Sequence, residues 1–150
     1  MSSRKTWVYN ISRENWTDCF ELHVSPTAKA MRTHADEIYD TVGKKREDLS
    51  NTLGLCMAID KPRYSDDGKY LFAVLFLNED NLGSGIVAHE CLHIAMAHER
   101  FVLRFGMNYG NGLDDLEDEE RLAYFVTHCA KAVYNVLYDN KHIAGKIETE

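Results

Sequence analysis

The chain has 150 residues, 45% of them hydrophobic, and a formal net charge of −7 at pH 7. That length buries an ordinary core without disulfides in a single domain, residues 1–150. The acidic balance excludes a polyanion-binding surface, so nucleic acid is not an expected partner.

Residues 6–11 and 20–24 are short alternating segments that suit strands. Ser25 then stands at a cap position and Pro26 at the first helical one. Ala28, Met31, Ala35, Ile38, Tyr39 and Val42 recur at helical spacing and predict an amphipathic helix lying on a sheet. The run Lys44-Lys45-Arg46 falls at the end of that helix, where the dipole favours cations, and reads as a solvated terminus. Residues 55–60 and 70–77 look like an antiparallel pair joined through Pro62 to Gly68. The second of them is eight uninterrupted apolar residues and reads as a buried strand. Residues 81–85 form a flexible lead-in to a helix over 86–105, which is free of proline and stops at Gly106. Val87, Cys91, Leu92, Ile94, Ala95, Met96, Phe101, Val102 and Leu103 cover most directions of its wheel, so this helix is expected to be buried. A last helix runs from about 114 to 139, opened by Asp114 and Glu117 at capping-box spacing. Its apolar stripe is Leu122, Phe125, Val126, Cys129, Val133, Val136 and Leu137. The order strand, strand, helix, strand, strand, helix, helix predicts an α+β fold on a small, mostly antiparallel sheet. No stretch has the length of a membrane span and the N-terminus lacks a signal-peptide core, so a cytoplasmic protein with no membrane partner is expected. Cys19, Cys56, Cys91 and Cys129 form no C-x-x-C pair and are expected as buried reduced thiols.

The chemistry concentrates in His89-Glu90-Cys91-Leu92-His93, the pattern HExxH on an expected helix. Residues four apart share a helix face about one turn apart, so His89 and His93 can offer two imidazole nitrogens to one Zn2+. Glu90 projects at an adjacent angle, suited to hold a metal-bound water and accept its proton as the catalytic base. A catalytic zinc usually takes three protein ligands and keeps one position open. A third histidine in the metzincin manner is excluded, because Met96 and Glu99 stand where that pattern needs Gly and His. A glutamate of the following helix is the other route. On the wheel Glu119 lies nearer that helix's apolar stripe, whereas Glu120 sits on a flank with Tyr124 and Thr127.

HExxH followed by a helix carrying Glu120-Arg121-Leu122-Ala123, of the form E-x-x-A, resembles the gluzincins, including the single-domain minigluzincins and the ImmA-type cytoplasmic metallopeptidases. The match covers residues 70–139. The resemblance implies a zincin-like fold, with the HExxH helix behind the sheet and a glutamate-bearing helix after it. It implies Zn2+ held by His89, His93 and Glu120, with Glu119 in reserve. Ala123 is implied as the small residue that lets the two helices approach, and a peptide or protein as the substrate. The compact size also resembles the small peptidases encoded by phages and mobile elements. The expected function is therefore a zinc metallopeptidase in which Glu90 activates water, with an extended substrate adding itself to a sheet edge. Two rivals are a zinc-binding protein that acts through a partner without hydrolysis, and a zinc hydrolase acting on a non-peptide bond.

Outside the motif, His98 lies about 140° around the helix from His93 and reads as a surface or core-edge histidine. Arg100 shares the face of His89 and His93 and is expected to pair with an acid from residues 114–120 or to sit in an ordinary rim ion pair. His128 is a candidate for stabilising an oxyanion. His23, His34 and His142 follow no pattern.

Overall fold

The computed structural model describes residues 6–12, 18–42, 52–59, 64, 68–105 and 118–143. The expected Asp114–Glu117 capping box and the Lys44-Lys45-Arg46 run lie outside them. Seven elements follow in the predicted order: β1 (Trp7–Ile11), β2 (Asp18–Ser25), α1 (Ala28–Val42), β3 (Leu55–Ala58), β4 (Tyr70–Asn78), α2 (Ser84–Phe105) and α3 (Asp118–Asp139).

The strands form one sheet in the order β1-β2-β4-β3. The outer pairs, β1 with β2 and β3 with β4, are antiparallel, but the central pair β2 and β4 is parallel, with Leu22 opposite Leu75 and Val24 opposite Leu77. The sheet is therefore mixed: two of its three pairings are antiparallel, in line with the mostly antiparallel sheet expected from the sequence, and the central one is parallel. Two parallel neighbours need a long crossover, and the segment holding α1 and β3 supplies it. β4 is covered on both faces, which is why its apolar run is unbroken rather than alternating.

Alternate residues of β2 separate two layers of core. Phe20, Leu22 and Val24 pack with Val87, Ile94 and Phe125 of α2 and α3, while Cys19 packs with Met31, Ala35 and Tyr39 of α1. The sheet thus lies between α1 and the α2–α3 pair. Thr27, not Ser25, caps α1: its Oγ1 accepts the Ala30 N–H at 3.1 Å, whereas Ser25 belongs to β2 and its hydroxyl meets that of Thr6 at 3.1 Å.

α3 runs back along α2. Arg121 Nη2 lies 3.5 Å from Glu99 Oε1, the ring of Phe125 stacks on that of His98 at 4.2 Å, and Phe125, Cys129, Val133 and Leu137 form the buried stripe. His98 is a core residue, 1% exposed, not the surface or core-edge histidine the wheel suggests; its Nε2 meets Asp18 Oδ2 at 3.1 Å. The sequence hides this because the partner sits eighty positions away, at the start of β2. α3 ends with the His142 N–H donating to the Leu137 carbonyl and the Lys141 N–H to that of Tyr138, with Lys141 at a left-handed φ of 63°. That turn delivers His142 between β1 and the end of β4. There its Nε2 meets the Tyr9 hydroxyl at 2.6 Å and its Nδ1 meets Glu79 Oε2 at 2.8 Å. No described helix is long and apolar enough to cross a membrane.

Candidate metal centre

β4 leads through a turn into α2, which opens with the N–H groups of Ile86 and Val87 donating to the Gly83 carbonyl. The sheet takes one side of α2 and α3 takes a flank. Val87, Cys91, Ile94, Ala95, His98, Phe101 and Val102 are buried, but His89, Leu92, His93, Met96, Arg100 and Leu103 form an exposed stripe. The wholly buried helix expected from the wheel is thus corrected. The two motif histidines face solvent, and they do so together.

His89 Nε2 and His93 Nε2 stand 3.3 Å apart, with the rings 74° from coplanar, and the His89 side chain is 67% exposed. Glu90 is turned the other way, is only 7% exposed, and lies with Oε2 4.0 Å from His89 Nε2. Burial pushes its carboxyl above the ordinary glutamate range, the neighbouring His89 and His93 pulling in the opposite direction. Cys91 is fully buried on the sheet side of the helix, and burial and the neighbouring Glu90 push its thiol up to about 12.

The wall against Glu90 is the segment before β3. A Cβ on Gly54 would stand 3.1 Å from both Glu90 Cγ and Ile86 Cγ2. Two side chains hold this segment by its carbonyls: Arg32 of α1 donates from Nε to the Thr52 carbonyl at 2.9 Å, and buried Asn78 donates from Nδ2 to the Leu53 carbonyl at 3.0 Å. Asn78 Oδ1 in turn accepts from Asn81 Nδ2 at 2.9 Å in the turn that leads to α2. Gly54, Arg32 and Asn78 carry no motif. The one signal available in the sequence is an asparagine closing an otherwise apolar strand.

Glu119 and Glu120 are exposed in the first turn of α3. The neighbouring Arg121 meets Glu99, six residues beyond His93 on α2, so this turn sits opposite the far half of α2. Among the described residues, no group of three His, Cys, Asp or Glu side chains is arranged to hold a metal. The structure therefore brings His89 and His93 together with Glu90 beside them, and does not bring Glu120 to join them. Ala123 is exposed and His128 half-buried on α3, neither in a described contact with the two histidines. On the opposite face of the sheet His23 Nδ1 meets His34 Nε2 at 2.6 Å while His23 Nε2 meets Glu21 Oε1 at 2.9 Å, a cluster that the sequence pattern does not reveal.

The donor set can be tested against zinc. Zinc–imidazole bonds of about 2.0–2.1 Å at tetrahedral angles require two ligand nitrogens about 3.3–3.4 Å apart. The observed separation is 3.3 Å, between the nitrogens that α-helical spacing presents outward. The two rings are within hydrogen-bond reach of each other, and the same spacing also fits a shared cation. No family model matches this chain, and neither a curated protein nor a solved structure is found similar to it.

Proposed function

We propose that this protein is a cytoplasmic zinc-dependent metallopeptidase of gluzincin type, similar to the small phage-encoded enzymes, acting on peptide or protein substrates. The observation that carries the reading is the pair of exposed histidine nitrogens 3.3 Å apart with a buried glutamate at their side. His89 and His93 hold Zn2+, which when bound polarises a carbonyl and acidifies a water. Glu90 accepts the proton of that water and passes it to the leaving amine. Burial raises the Glu90 carboxyl above its ordinary range, and a more basic carboxylate is the better proton acceptor. The backbone at Gly54 stands close against the Glu90 side chain.

β3 is an edge strand, and Gly54 just before it touches Glu90, so an extended substrate pairing with β3 brings its main chain beside the base. Glu120 is the third ligand by the E-x-x-A register, with Glu119 as the alternative; among the described residues neither completes a three-ligand group with the histidines. One observation favours a second reading, a metal-holding protein that binds a partner without hydrolysis: among the described residues no acid completes the site.

Cleavage of a broad peptide library by the zinc-loaded wild type, lost in Glu90→Gln with zinc retained, supports the peptidase. A wild type that holds zinc and cleaves no peptide supports the second reading, and turnover of esters or amides alone would assign a non-peptide substrate.

A further inference from the structure

The stripe that carries His89 and His93 does not end with them. Leu92 and Met96 are 42% and 43% exposed on it, and Arg100, also exposed, follows one turn later. Single exposed apolar residues are ordinary on a protein surface, but here Leu92 lies beside the histidine pair and Met96 between that pair and a cation, all on one face of one helix. Arg100 makes no hydrogen bond or ion pair among the described residues, and of the acids expected as its partner neither Glu119 nor Glu120 is paired with it. A planar guanidinium exposed beside apolar surface is the group best suited to a bidentate hold on a carboxylate. The chain as a whole carries −7, so a docked acidic group needs a local cation to be accepted.

Resting on the peptidase reading, we infer that this face of α2 selects the substrate: an extended peptide lays an apolar side chain on Leu92 and Met96 and an acidic side chain on Arg100. The spacing sets the register. Arg100 is seven residues beyond His93. Those residues span about 10 Å of helix axis, and an extended chain covers that distance in about three residues. The acid therefore belongs about three residues from the scissile bond.

The test uses octapeptides blocked at both ends, so that no terminal carboxylate competes, with one Glu or Lys moved through every position. Zinc-loaded wild type and Arg100→Glu are compared by kcat/KM, and binding of the fluorescein-labelled peptides is read by polarisation on zinc-loaded Glu90→Gln with and without Arg100→Glu. Glu two to four residues from the cut is expected to raise kcat/KM by about tenfold, mainly through KM, and Arg100→Glu to turn the preference to Lys. Zinc content measured alongside shows that each variant keeps its metal site. Cleavage without a positional acid preference, or a preference untouched by Arg100→Glu, overturns the inference and leaves the peptidase standing. Arg100-dependent binding of acidic peptides without cleavage supports the inference and overturns the peptidase. Neither binding nor cleavage overturns both.

Discussion

Gly54 and Glu90 are packed so closely that a methyl group on Gly54 would stand 3.1 Å from Glu90 Cγ and 3.4 Å from its Oε2. The backbone before β3 therefore serves as the seat of Glu90, the proposed base. Gly54→Ala forces Glu90 or Ile86 to give by a few tenths of an ångström. Displacements of that kind at a reacting group cost about tenfold to a hundredfold in rate, so kcat/KM on a cleaved peptide should fall by that order while zinc content stays at the wild-type level. Unchanged kinetics would mean that the seat is not needed.

The third ligand is open to a direct ranking. Glu120→Gln should lower zinc affinity in chelator competition by at least about tenfold, the size typical when a ligand or its support is lost, and Glu119→Gln should do less. The reverse ranking assigns the ligand to Glu119. Two negligible effects would leave His89 and His93 as the whole protein contribution to the site.

The elements of this fold are readable because each shows its period: alternation in β1, helical spacing of Met31, Ala35 and Tyr39, and the unbroken apolar run of β4. What local pattern does not carry is pairing at a distance. Nothing near Phe20 or Leu71 says that β2 and β4 run parallel, and nothing near His98 points to Asp18. The wheel of α2 counts apolar residues but not neighbours; a sheet and one flanking helix cover only part of it, and Leu92, Met96 and Leu103 remain outside. HExxH is legible as a motif. The carbonyl holds by Arg32 and Asn78 that seat Gly54 are not, since they depend on where α1 and β4 end up relative to one another.

His34 links α1 to β2 through His23. Burial lowers its pKa from the ordinary 6.5, the nearby His23 adds to this, and Glu37 opposes it. A base with a depressed folded pKa binds its proton more weakly in the native state than in the unfolded one. The stability it supports is thus complete above about pH 6.5 and is lost as pH falls through the folded value. Thermal unfolding from pH 8 to pH 5 should show a steeper loss for wild type than for His34→Gln. Parallel curves would remove His34 as a source of acid sensitivity.

Lys141 closes α3 in a left-handed conformation with φ of 63°. Glycine takes that conformation freely, so Lys141→Gly should raise stability by about 0.5–1 kcal/mol, whereas Lys141→Val should lower it by a similar or larger amount. Denaturant titration checks both. Because the same turn carries His142 into its bonds with Tyr9 and Glu79, a destabilised Lys141→Val should also loosen β1, seen as faster amide exchange there.

The measurement that reaches the centre of the proposal is the metal content of the purified protein, taken by elemental analysis on wild type, His89→Ala and His93→Ala. Two imidazole nitrogens 3.3 Å apart on the open face of α2 predict one zinc per chain in the wild type and its loss in either variant. A wild type free of zinc after zinc loading, or zinc undiminished in both variants, would contradict a metal centre at His89 and His93.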